Sequence, residues 1–138
     1  MASAFTIDRV LFAADLSKAC EPALRCAASL ANRFQARLYL LHVVPERADE
    51  GGALTAMSRL RARIVDDHDD PVLAVLCGDP AERILQKARD IRADLIVMGG
   101  CHGGETPSSA VTDVVVRRAP CPVLTVPLVS HESSGAGP

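Results

Sequence analysis

Four glycines fall within six residues, at Gly99, Gly100, Gly103 and Gly104, directly after an apolar run that ends at Met98. The whole stretch reads "MGGCHGGETPSSAV", and its Thr106, Pro107, Ser108 and Ser109 lead into a second apolar run. Strand, glycine turn and helix start is a common way to hold a phosphate. Glycines let successive backbone N–H groups turn toward one anion, and a helix N-terminus adds unpaired donors. Thr106 has the chemistry of an N-cap and Pro107 suits the first helical position. The Ser108 and Ser109 hydroxyls then fall beside the free N–H groups and could help accept one phosphate. The same residues also fit a tight turn that binds nothing.

Other residues that could do chemistry are scattered. Asp15 follows the apolar run "RVLFAA" and is either a cap on the next turn or a ligand contact. Cys101-His102 resembles half of a metal site, but no second Cys/His pair has ligand spacing, so no metal is expected. A redox-sensitive Cys101 stays open, because helix N-termini lower thiol pKa values. "DDHDD" (66–70) reads as a solvated acidic turn, and His42, inside a strand run, as a packed or edge histidine. Nothing fixes Ser17, Ser108 or Ser109 beside a base, so no catalytic residue is expected. Cys20, Cys26, Cys77 and Cys121 read as small buried hydrophobes, and an odd total of five suits a reducing compartment.

The elements that position these groups alternate along the chain. Short apolar runs at 9–15, 37–44, 71–77, 93–99 and 121–127 read as strands. Between them lie helical patterns: Ala23, Ala27, Leu30, Ala31 and Phe34; then Leu54, Met57, Leu60 and Ile64; then Ile84, Leu85, Ala88 and Ile91. Val111, Val114 and Val115 continue the series, with Asp113 and Arg117 spaced to pair on a helix, although three successive valines also suit a strand. Pro22 sets the first helix to start near Cys20. Five strands alternating with four helices predict βαβ units and one parallel sheet covered on both faces. Such sheets bind ligands beyond the carboxyl ends of their strands, where Asp15, Val43 and the glycine loop all fall.

Composition narrows the functions. The 138 residues suit one domain, expected over 1–129, with a small polar tail at 130–138 that has too little apolar content to fold. A net charge of -2 with no basic block argues against nucleic acid, as does the absence of Trp among very few aromatics. No apolar run is long enough for a bilayer, and the N-terminus lacks a secretory pattern, so a cytoplasmic protein is expected.

Four segments together resemble the universal stress protein family: "VLFAADLS", "LYLLHVV", "GDPAERILQKARDIRADLIVMG" and "VVVRRAPCPVLTVP". The likeness runs from Arg9 to about Pro127. It implies a five-stranded parallel sheet of order 3-2-1-4-5, the flavodoxin-like or adenine nucleotide alpha hydrolase-like arrangement. It further implies a homodimer paired through the fifth strand, here Val123, Leu124, Thr125 and Val126. The family divides into members that bind ATP and members that do not. By that resemblance Asp15 and the backbone at Val43 would hold adenosine, and Gly99, Gly100, Gly103, Ser108 and Ser109 the phosphate of ATP or AMP. The binders' pattern is Gly-x2-Gly-x9-Gly-(Ser/Thr). Counted from Gly100 and Gly103, this chain reaches Ser109-Ala110 after only five intervening residues. A loop short by four loses roughly 13 Å of reach. The expectation is a regulatory module whose ATP binding is weak or absent; the alternative is an ATP- or AMP-binding sensor with little or no ATPase activity.

Overall fold

A computed structural model of the protein describes residues 4–66, 70–99 and 107–127. Five strands, β1 (Arg9–Ala13), β2 (Arg37–Val44), β3 (Val72–Cys77), β4 (Leu95–Gly99) and β5 (Val123–Val126), form one parallel sheet of order β3-β2-β1-β4-β5. Four helices connect them: α1 (Glu21–Phe34), α2 (Glu50–Ile64), α3 (Pro80–Ile91) and α4 (Pro107–Arg118).

Alternation along the central strand divides the core. Val10 and Phe12 face one way, packing with Leu24 of α1, Leu40, and Met57 and Leu60 of α2. Leu11 faces the other way, with Leu41, Ile84 and Leu85 of α3, Ile96, and Val115 of α4. Phe12, Leu11, Leu24 and Leu85 are wholly buried. Asp94 ties the start of β1 to β4, its carboxylate accepting from the N–H groups of Asp8 and Arg9 at 2.8 and 3.0 Å.

Local chemistry sets the helix ends. Pro22 lies in the first turn of α1, as expected, and the helix stops at Gln35 in the left-handed region. Asp79 caps α3 by accepting from the Glu82 N–H at 3.0 Å, with Pro80 opening the helix. The preceding Gly78 has φ +137°, and a Cβ there would lie 2.8 Å from Nε of Arg83. That Nε donates to the Cys77 carbonyl at 2.9 Å, so the side chain is not free to retreat. Gly78→Ala is expected to cost about 1–3 kcal/mol, read as a lower urea midpoint with an unchanged slope.

Several boundaries and faces depart from the sequence reading. β1 ends at Ala13 rather than Asp15, and β4 starts at Leu95 rather than Ala93. β5 is limited to the four residues between Pro122 and Pro127. α2 begins before Ala53 and its buried stripe is Ala53, Met57 and Leu60; Leu54, one position off that stripe, is 46% exposed. Phe34, the last residue of α1, is also exposed. The valine run at 114–116 is helical, with Val115 inward and Val116 outward. Arg118, not Arg117, forms that helix's ion pair, reaching Glu82 of α3 at 2.7 Å. Asp113 and Arg117 form none among the described residues. Among the described cysteines only Cys20 is fully buried; Cys26, Cys77 and Cys121 are half-buried. The middle of "DDHDD", residues 67–69, and the tail at 130–138 lie outside the described residues. Among those residues no helix is long and apolar enough to cross a membrane.

Candidate functional site

Beyond the carboxyl ends of β1, β2 and β4 the described residues enclose a cleft of about 190 Å³. β1 is flanked by β2 on one side and β4 on the other. The connection leaving β1 runs through α1 on one face of the sheet and that leaving β4 through α4 on the other, which opens a crevice between them. Asp15, Val43 and Gly99, named from sequence, all line it. A roomier hollow of about 370 Å³, lined by Asn32, Gln35, Arg37 and Asp70 among others, lies near the amino ends of β2 and β3. Parallel sheets of this type bind at the other end, so the smaller cleft is the candidate.

Asp15 is exposed at the rim. Its Oδ1 accepts from the Ser17 N–H at 2.9 Å and the Ser17 hydroxyl at 2.7 Å. The cap on the following turn is therefore real, and the second carboxylate oxygen is not engaged in it. Both readings of Asp15 are compatible in one geometry. Val43 stands at the end of β2, half-buried, with its backbone paired to Leu76 of β3. At Gly99 a Cβ would meet only the Ala23 methyl at 3.9 Å, an ordinary contact.

Gly100 and Gly103, with Cys101 and His102, fall outside the described residues. Ser108 and Ser109 belong to the first turn of α4, which begins at Pro107; Thr106, expected as its N-cap, lies outside the described residues. Val123, Leu124, Thr125 and Val126 do not line the cleft; they make up β5, an edge of the sheet, with Thr125 and Val126 paired to Met98 and Gly99 of the cleft wall.

Sequence reasoning missed most of the walls. α3 supplies Pro80 and Ile84, and α4 supplies Val111 and the buried Thr112. Thr112 had left a signal, as a polar residue in register with Val115 on an inward helical face. His42 lies in an interior strand rather than at an edge, and its Nδ1 is 2.7 Å from the Ala14 carbonyl.

Cys20, also on the cleft wall, is 3% exposed. Burial, and secondarily the Asp15 charge, push its thiol from 9.0 up to about 11. It is thus protonated and a poor nucleophile at neutral pH. A raised thiol pKa stabilises the fold fully below the unfolded value and no longer above the folded one. Stability is therefore expected to decline between pH 9 and 11, by up to about 3 kcal/mol from this group. Cys121 is raised in the same direction by burial and Asp94. Urea midpoints of wild type and Cys20→Ala across that range isolate the Cys20 share, because the variant should decline less.

Asp15 is the one formally charged side chain among the described residues lining the cleft. No Lys or Arg does so, and residues 100–106, "GCHGGET", contain none to add.

The comparisons agree with this architecture. The structure is similar to the universal stress protein UspA from Lactobacillus plantarum, with 25% identity, TM-score 0.73, and coverage of 88% of this chain and 98% of that one. It is similar to a universal stress protein family member from Burkholderia pseudomallei at 30% identity and TM-score 0.64, covering 88% of this chain and 96% of that one. An Archaeoglobus fulgidus universal stress protein, solved in complex with dAMP, shares the fold at 21% identity and TM-score 0.68, with 89% and 99% coverage. A search of curated proteins found no match. The profile of the universal stress protein family matches residues 6–127, the span that holds all five strands and every wall of the cleft, and the chain belongs to that family.

Proposed function

We propose that the protein is a cytoplasmic, homodimeric stress-response module, paired through β5, whose cleft holds ATP weakly or not at all. The observation that carries this reading is charge. Three phosphates need donors or cations, yet the described cleft wall has no Lys or Arg and does have Asp15. The loop from β4 to α4 adds none, and five residues separate Gly103 from Ser109 where the ATP binders' pattern in the family resemblance would have nine.

A second reading, an adenine nucleotide sensor with little or no hydrolysis, is favoured by the position of Asp15 and Val43 at the cleft and by the dAMP held by the Archaeoglobus fulgidus protein. Calorimetric titration with AMP, ADP and ATP separates the two. If phosphates beyond the first find no partner, the three nucleotides bind with similar, weak affinities, or none binds. An ATP dissociation constant in the low micromolar range, about -8 kcal/mol, overturns the first reading in favour of the second.

A further inference from the structure

The turn that carries Asp15 to the cleft is tied to β2. The Ala14 N–H donates to the Leu41 carbonyl at 2.8 Å, and the Ala14 carbonyl lies 2.7 Å from Nδ1 of His42. A carbonyl only accepts, so Nδ1 carries the proton in this arrangement. Both polar groups of one residue are thus tied to successive residues of β2. Two residues on, Leu16 has φ +63°, a left-handed conformation that side chains with a Cβ rarely adopt. Such a conformation persists only where its surroundings over-determine it. The Asp15–Ser17 bonds fix the turn on its far side, and the Ala14 ties fix it on the near side.

Alternation along β2 decides how His42 acts. Leu38 and Leu40 pack under α1 and α2, whereas Tyr39, Leu41 and Val43 pack with the α3 and α4 core. His42 shares the row of Leu38 and Leu40, so its ring reaches the turn from the α1 and α2 side. Leu41, Val43 and Ile84 line the cleft from the other face, and Ala14, Cys20 and His42 itself also line it.

We propose that His42 is a positioning residue: its Nδ1–H holds the Ala14 carbonyl, and thereby sets where the Asp15 carboxylate stands in the cleft. This role in binding rests on the reading that the cleft takes an adenine nucleotide; the hydrogen bond itself does not.

The test uses the full chain with His42→Leu, which removes the donor, and His42→Asn, whose side-chain amide can replace Nδ1. Two readouts are AMP affinity by calorimetry and amide exchange at Ala14 and Ser17 by NMR. His42→Leu is expected to weaken AMP by about fivefold, the share of one hydrogen bond, and to speed exchange at both amides. His42→Asn should restore both. In an Asp15→Ala background, His42→Leu should have no further effect on AMP, since it acts through the carboxylate. Equal loss in both backgrounds, or unchanged affinity and exchange in His42→Leu, overturns the proposal. If the wild type takes no AMP, the nucleotide reading fails by itself. The exchange rates and the ring tautomer, by nitrogen-15 NMR, then decide whether His42 sets the turn; an unprotonated Nδ1 refutes it.

Discussion

A Thr125→Pro variant is expected to sediment as a folded monomer at concentrations where the wild type sediments as a dimer. β5 is an edge of the sheet, paired only with β4, and edges with free N–H and C=O groups invite another chain. The direction of those groups follows from the ladder. The Ile96 N–H donates to the Pro122 carbonyl at 3.0 Å, so the backbone groups of residue 122 face β4. Alternation then turns those of Val123 and Thr125 outward and those of Leu124 inward. Proline at 125 removes an outward donor and leaves the β4 pairing intact, whereas proline at 124 strikes the sheet itself. No charged residue lies between Pro122 and Pro127 to discourage pairing, and Leu124 remains 36% exposed. In the proposed dimer the two β5 strands would pair antiparallel across a two-fold axis. A wild-type monomer at micromolar concentration would end the dimer reading, and a dimeric Thr125→Pro protein would move the interface elsewhere.

Asp15→Ala is expected to weaken any adenine nucleotide the cleft takes by at least about tenfold, the usual worth of a hydrogen bond to a charged group. One carboxylate oxygen is already occupied by Ser17, so the variant removes two things at once. It deletes the acceptor offered to the ligand, and it releases the turn, at a cost of about 1 kcal/mol in stability. Asp15→Asn separates them. Its amide oxygen can still accept from Ser17 and preserve the turn, so stability should hold while affinity falls. Calorimetry and urea denaturation on both variants provide the measurements. An Asp15→Ala protein that binds as tightly as wild type places the ligand outside this cleft.

How far the sequence could be read varied with the range of the interactions involved. Strand and helix order was legible because period-two and period-3.6 patterns are local, and parallel topology followed from their alternation. Asp15, Val43 and Gly99 were legible as a set because each lies at or just past the carboxyl end of a strand, and those ends converge in such sheets. The far walls, Pro80, Ile84, Val111 and Thr112, were not, because their approach depends on how α3 and α4 pack against the sheet. Leu54 and Phe34 were placed inward by periodicity and proved exposed: Leu54 lies one position off the buried stripe of α2, and Phe34 is the last residue of α1, where the pattern guarantees no neighbour. The partner of Arg118 lies on another helix, which no i,i+4 rule reaches.

The middle position of β1 has a consequence for biosynthesis. The first strand to leave the ribosome is the one every other part of the sheet is built around. Its pairing with β2 becomes available once Val44 has been made, but its other edge waits for β4 and Gly99. During that interval Val10, Leu11 and Phe12, wholly buried in the finished protein, lack half of their shelter. The nascent chain thus carries this apolar strand as a bare edge for much of its synthesis. That is the stage at which chaperone capture, or misassociation between neighbouring chains on one message, has the most to grip.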